Sequence, residues 1–464
     1  MNLPLAVVVL LTAFVVSLGV ASLRVRRATQ VLSLLVSGAL LEGSASWTSG
    51  AWGVDNVSRL AVAVVVIVGV SVGAFAWRQF EGERRAPWIM AASMAVIAAA
   101  LASALAHSLI WMTLSWLATS LATIAVVALS TPRGSSAARL VRSLLLADIP
   151  LAVVVAWIVL HQGDLALRPS PQPLLSPALG VAVFAAGTVS AFARAGFTTR
   201  RSWVTETVQA PTSVSALLHA GVVNGGALLM WRLGALGPFP VVGRALAALA
   251  CGAVMVALAP RITRRVDLKG QLALSTVSQM AFMMLAIELG WWTLALTHLA
   301  GHALYKAYRF QDAGGAIAAR ARWRRVEHAG FPLTTTNRVS AVAALCAVAV
   351  AIGVAAPPES RAVDGVFAVA ALAVWWSSSR RPLRHPVVLV LALSATLVSY
   401  CAAVAGAQVW LESSTVADVA APWWSLGATV AVTALLAKLR RRPAVQRAPR
   451  RDALRAFEPV GVVR

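Results

Sequence analysis

Charge is scarce in this chain. Only 12% of its 464 residues are Asp, Glu, Lys or Arg, whereas a soluble domain carries about 25%. With 59% apolar residues and a mean hydropathy of +0.78, that shortage excludes a soluble or disordered chain. Cysteine is almost missing: Cys251, Cys346 and Cys401 lie far apart, each inside an apolar run, which argues against a disulfide framework or a zinc site. No haem, flavin or iron–sulfur pattern occurs, which weakens an oxidoreductase reading, and no cofactor is expected. Acidic residues number 17 against 40 basic ones, a net charge of +23. The charge is too dilute among apolar runs for nucleic-acid binding. Lysine is rarer still, with three Lys beside 37 Arg.

What fills the chain instead is apolar runs. A bilayer crossing needs roughly 20 mostly apolar residues. Such runs lie near 3–23, 29–50, 58–77, 87–107, 108–130, 143–161, 176–196, 211–231, 239–259, 270–288, 291–309, 334–356, 363–379, 386–408 and 422–438. They predict an all-α polytopic membrane protein with about 15 transmembrane helices, a membrane domain over 1–439 and a basic tail over 440–464. Glu42 and several Ser make the second run the weakest. The first run has no basic residues ahead of it and is read as a span, not a cleaved signal.

Charge alternates between the connecting segments. One set holds 34 basic and 8 acidic residues, the intervening set 5 basic (Arg59, Arg168, Arg232, Arg244, Arg361) and 8 acidic. Basic loops stay on the cytoplasmic side, so the N-terminus is expected outside and the C-terminus in the cytoplasm of a prokaryotic cell. The basic inner face also suits anionic membrane lipid.

An ionisable group inside a span costs several kcal/mol and is kept for a reason. Three stretches carry such groups. In Ala210–Gly226, Pro211 suits the first helical turn, His219 sits about two turns in, and Asn224 follows among Gly221, Gly225 and Gly226. The alternative here is a helix-packing face with a satisfied histidine. In Asp267–Leu285, Ser275 and Gln279 share one helix face, serving either a water path or hydrogen bonds between helices. In Thr297–Phe310, His298, His302 and Lys306 recur every four residues and line one stripe. Imidazoles and a desolvated amine can pass protons. A metal site is the weaker reading of the His pair, because no third His, Cys or carboxylate lies nearby. Snorkelling of Lys306 to the surface is the bland alternative. Against it, basic surface positions in this chain are nearly all Arg, and only Lys can release its proton. Asp148 lies inside the sixth span before Pro150. Arg194, near the inner end of the seventh, either pairs with Glu206 or snorkels.

These stretches resemble the antiporter-like, proton-conducting subunits of respiratory complex I and of Mrp-type sodium/proton antiporters. The resemblance rests on Arg194, Trp203, Glu206, Pro211-Thr212, Val214–Leu217, His219-Ala220, Asp267, Lys269, Leu272-Ala273, Ser275-Thr276, Ser278-Gln279, His298-Leu299, His302-Ala303, Lys306-Ala307 and Phe310, all at the family's spacing. It covers about residues 180–315 closely. Within it, Ser115–Leu121, His219–Gly226, Ser278–Met283 and Leu304–Ala307 look closer to the DabB-type membrane subunits of inorganic-carbon pumps.

The resemblance implies an antiporter-like subunit fold and a proton or sodium pathway. Its residues would be His302 and Lys306, then His298 and His219, with Lys269, Ser275, Gln279, Asp148 and Arg194 as further members. It also implies a DabA-like partner, a zinc carbonic-anhydrase-related subunit in which the chemistry resides, so that this chain is a transporter subunit and not itself an enzyme. Two departures stand out. Leu117 replaces the channel glutamate of complex I relatives, and Arg194 stands where the family usually has Lys. They motivate one rival reading, a non-conducting membrane anchor, which the His298/His302/Lys306 stripe opposes; a subunit of a complex I-like or Mrp-like assembly is the other alternative.

Overall fold

The structure is a computed structural model that describes residues 47–131, 137–168, 170, 172–197 and 202–315. The expected spans near 3–23 and from 334 onward, and the tail over 440–464, lie outside the described residues. A short antiparallel hairpin comes first, β1 (Trp47–Ser49) and β2 (Trp52–Val54), with Ser49 opposite Trp52. Gly50 turns it at φ 56°, a conformation that glycine adopts without a Cβ clash. The span expected over 29–50 is therefore corrected at its end: residues 47–50 form a strand and turn, where Trp and Thr favour the pleat and Ser-Gly stops a helix.

Long helices follow: α1 (Asn56–Gln79), α2 (Ala86–Leu105), α3 (Leu109–Ser130), α4 (Ala137–Gln162) and α5 (Pro177–Arg194). A single turn, α6 (Trp203–Glu206), leads through a 3₁₀ turn at Thr207–Gln209 into α7 (Thr212–Ala220). Next come α8 (Gly225–Gly234), α9 (Val241–Arg264), α10 (Leu268–Glu288) and α11 (Trp292–Gln311). Local chemistry marks the starts. Asp55 accepts the Ser58 amide at 2.7 Å, Ser108 the Trp111 amide at 3.3 Å, and Asp267 the Gly270 amide at 2.7 Å, each satisfying a first-turn N–H that has no helical partner.

Eight of these segments, counting α7–α8 as one, have the length and hydropathy of membrane spans. The ninth, α11, has 20 residues, and its His and Lys residues lower its apolarity. The basic segments of the sequence follow the first, third, fifth, seventh and ninth crossings. Burial is inverted relative to a soluble protein. Leu146, Ile149, Val153, Trp157 and Leu160 form an exposed row on α4, while Asp148, Ser190, Arg194, His219, His302 and Lys306 are buried. That is the pattern expected when lipid is the solvent.

Two placements from the sequence are corrected. Arg232 and Arg244, counted in sparse outer loops, lie in α8 and α9 and are 2% and 7% exposed. The span expected over 211–231 is not one helix. It breaks at Gly221 into a 3₁₀ turn, Val222–Asn224, before α8 begins.

Candidate functional site

The break between α7 and α8 organises the interior. Where the α-helical ladder stops, the Ala220 carbonyl takes the Asn224 side-chain amide at 2.6 Å. The same Asn224 turns its Oδ1 to His302 Nδ1 at 3.0 Å. An acceptor at that position means that Nδ1 carries the proton of the ring, leaving Nε2, which has no partner, free to accept. Gly225 and Gly226 allow this approach. A Cβ on Gly225 would stand 3.2 Å from the Trp116 ring, and one on Gly226 3.2 Å from Ala191 Cβ.

One polar group surrounds Lys306. Its ammonium is fully buried and donates to Ser275 Oγ at 2.6 Å and to the Leu272 carbonyl at 3.0 Å. Snorkelling is thereby excluded for this residue. One turn away on α11 is His302, and a further turn away His298, their rings 6.0 Å apart and nearly parallel. Phe282 packs edge-on against His298. His219, from α7, stacks on Phe310 at 4.5 Å and faces Thr207 Oγ1 at 3.4 Å. Lys269 does not reach this group through a side chain. It holds the Val208 and Ala210 carbonyls at 3.2 and 2.8 Å, anchoring the turn that leads into α7. Gln279 Oε1, His219 Nδ1 and His298 Nε2 are buried without a hydrogen-bond partner. Such orphans are costly in a low-dielectric interior.

The second polar group surrounds Arg194. Neither of the arrangements expected for it, pairing with Glu206 or snorkelling, describes the ion pair that forms. Arg194 is 2% exposed and stands 3.6 Å from Asp148 of α4, also 2% exposed. Its Nη2 donates to Ser120 Oγ at 2.5 Å and to the Trp116 carbonyl at 2.9 Å, and its guanidinium lies 3.3 Å above the Trp116 ring. Asp148 in turn accepts from Trp116 Nε1 at 2.8 Å, Ser120 Oγ at 2.6 Å and Ser190 Oγ at 2.9 Å. The correction has a physical reason. A guanidinium in a membrane interior needs a counter-charge and planar stacking, and α4 brings a carboxylate to it from 46 residues away in the chain. Leu117 on α3 carries no charge, and it is Asp148 on the neighbouring helix that stands beside Arg194.

A cavity of about 70 Å³ lies between the two groups. Trp116, Thr119, Arg194, Asn224 and Gly225 are among its lining residues. Eight of the nine residues expected from the sequence lie in or beside these groups; the ninth, Lys269, holds backbone carbonyls ahead of α7. The sequence reading gave no role to Trp116 and Ser120, which lie in the Ser115–Leu121 stretch, nor to Ser190 and Thr207, uncharged residues with no signal beyond their place in the chain. Asn224 was visible in its glycine-rich segment but had no assigned partner. Glu288, fully buried with both carboxyl oxygens unpartnered, was hidden at a span end. Among the described residues no cluster of His, Cys, Asp and Glu could hold a metal ion.

The geometry defines a multi-pass membrane protein with buried basic and acidic groups strung across its interior on either side of a broken helix. The profile described as "NADH:quinone oxidoreductase/Mrp antiporter, TM" matches residues 106–397, and the chain belongs to that family of antiporter-like membrane subunits. A protein of Bacillus subtilis named probable inorganic carbon transporter subunit DabB is 28% identical over 365 residues, 75% of this chain and 69% of that protein. The protein of Halothiobacillus neapolitanus named probable inorganic carbon transporter subunit DabB2 is 43% identical over 114 residues, 24% of this chain and 20% of that protein. Among solved structures, the Mrp complex from Dietzia sp. DQ12-45-1b contains a chain with TM-score 0.65 and 21% identity. The likeness covers all of this chain and 58% of that one, so the chain spans little more than half its neighbour's length.

Proposed function

We propose that this chain is the cation-conducting membrane subunit of an energy-coupled inorganic-carbon pump in a prokaryotic cell membrane. Protons or sodium ions move through it, and a DabA-like, zinc carbonic-anhydrase-related partner handles carbon dioxide or bicarbonate. One observation carries the conduction reading: Lys306, fully buried, is held by a hydroxyl and a carbonyl on the same stripe as His302. A buried amine with only neutral partners gains nothing structural that Met would not supply, but it can release and regain a proton. His302 and His298 continue the stripe with free ring nitrogens, and Asn224 leads from His302 to the helix break. Support for the carbon pump comes from the names of the DabB relatives.

The anchor reading draws on Leu117 and on Arg194, which cannot shuttle a proton. One experiment separates the two readings. Cells carrying this chain with its partner take up labelled inorganic carbon with and without an uncoupler. Conduction predicts that the uncoupler, Lys306→Met and His302→Ala each abolish uptake at normal membrane abundance. Uptake indifferent to all three refutes proton conduction, and an ionophore for sodium then tests the other ion.

A further inference from the structure

A third polar cluster lies away from the two described, at the membrane end opposite the basic segments. Asp55, just before α1, accepts Arg232 Nη1 at 2.7 Å and stands 3.1 Å from His107 Nε2. Burial pushes its carboxyl up, but the Arg232 guanidinium and His107 outweigh this and hold it well below the usual carboxylate range. Arg232 Nη2 also donates to Ser58 Oγ at 2.8 Å and to the Ala104 carbonyl at 3.1 Å. His107, in the α2–α3 turn, is 2% exposed, whereas the Asp55 side chain is 27% exposed and opens the cluster to the aqueous face. The 163–168 segment packs on this turn through Leu167 N to His107 O at 2.7 Å, bringing Asp164 and Arg168 close; Arg59 is the remaining charge, on α1.

Both nitrogens of His107 face oxygens that only accept. Nδ1 is 3.0 Å from the Leu105 carbonyl, and Nε2 faces a carboxylate already engaged by Arg232. The ring makes both bonds only while it carries two protons. Releasing one breaks a bond, and regaining it restores the bond. Behind the cluster, Ala104, whose carbonyl binds Arg232, and Ser103 line the 70 Å³ cavity, which Asn224 and Arg194 also line. The cavity has room for several water-sized molecules at about 10–15 Å³ each. Its middle is aliphatic, with Val64, Val68, Val96 and Leu228 among the lining residues, so water crosses it only transiently.

We propose that His107, clamped between Asp55 and the Leu105 carbonyl, is a proton-loading station that opens through this cavity toward Asn224 and Arg194. The station deepens the conduction reading and rests on it. The test is proton flux into liposomes carrying the complete chain, driven by an imposed potential, with pH varied on each side in turn. Flux of the unaltered chain is expected to depend on the pH of one side more than on that of the other. His107→Gln, which keeps a donor for Asp55 but cannot titrate, is expected to lower flux by roughly a hundredfold and to flatten that pH profile. Ala100→Leu, which fills the cavity without touching the cluster, should lower flux and leave the fold intact. If His107→Gln conducts like the unaltered chain with the same pH profile, the station is overturned. Should that variant fail to fold, Ala100→Leu decides: lost flux supports the path and unchanged flux overturns it. If flux of the unaltered chain does not exceed that of Lys306→Met, the conduction reading fails, and the station falls with it.

Discussion

Asp148→Leu is the perturbation whose cost the structure sets most closely. The carboxylate is the one charge 3.6 Å from a guanidinium that is itself 2% exposed. Its removal leaves Arg194 an uncompensated charge among helices. Breaking a buried pair from one side costs about 3–5 kcal/mol. Two of the carboxylate's donors have other partners: Ser190 Oγ still reaches the Ala147 carbonyl at 2.9 Å, and Ser120 Oγ still accepts from Arg194. Trp116 Nε1 has no second acceptor and is orphaned, adding about 1–3 kcal/mol. The sum is on the order of 4–8 kcal/mol, a large share of a typical folding free energy. The companion experiment is Asp148→Leu with Arg194→Leu. A pair replaced from both sides by apolar groups is often neutral or stabilising, so the double variant is expected to recover most of the loss. Thermal melts of the purified chain in detergent, followed by tryptophan fluorescence, measure both. The reasoning is refuted if Asp148→Leu melts with the unaltered chain, or if the double variant melts as low as the single one.

Activity at the same position gives a second outcome. Arg194→Lys keeps the charge beside Asp148 and restores a releasable proton, so uptake of labelled carbon is expected to hold or rise, while Arg194→Ala lowers it; equal uptake by both variants would count against a role in conduction. Topology offers a third: a fluorescent protein fused to the C-terminus should glow while an alkaline phosphatase fusion stays inactive, and the reverse would mean a span count wrong by an odd number. A fourth concerns pH. The Asp55 carboxyl is held below its ordinary 3.8, so its contribution is complete above that value and is lost as pH falls below it. Asp55→Asn should therefore melt below the unaltered chain at pH 7, with the gap closing below about pH 4; a gap that persists in acid would remove the ion pair as its cause.

Legibility in the sequence tracked distance along the chain. The stripe of His298, His302 and Lys306 could be read directly, because residues four apart share a helix face whatever surrounds the helix. At the starts of α1, α3 and α10 a capping side chain binds an amide three residues on, a local signal that the sequence reading did not use. Apolar length alone marked the eight candidate crossings among the described residues. The first strand of the hairpin, Trp47–Ser49, was absorbed into the run over 29–50, because Trp and Thr do not by themselves separate a strand from the end of a span. Arg232 was assigned to a loop for a related reason: an arginine near the end of an apolar run looks the same whether it faces water or a buried carboxylate.

The sequence by itself determined that this chain crosses a membrane many times, which ends of its spans carry the positive charge, and which helix carries a titratable stripe. Those are properties of composition and of the 3.6-residue period, and they hold before any two helices meet. Tertiary structure alone decided the partners. Asp148 and Arg194 lie 46 residues apart, Asn224 and His302 78, and Asp55 and Arg232 177. No local pattern joins them. They pair because the interior offers no water, so each buried charge or amide must find its counterpart on whichever helix packing brings within about 3–4 Å. The break at Gly221 is of the same kind: the glycines permit it, but it is the Asn224 amide on the freed Ala220 carbonyl, and His302 behind it, that hold it in place.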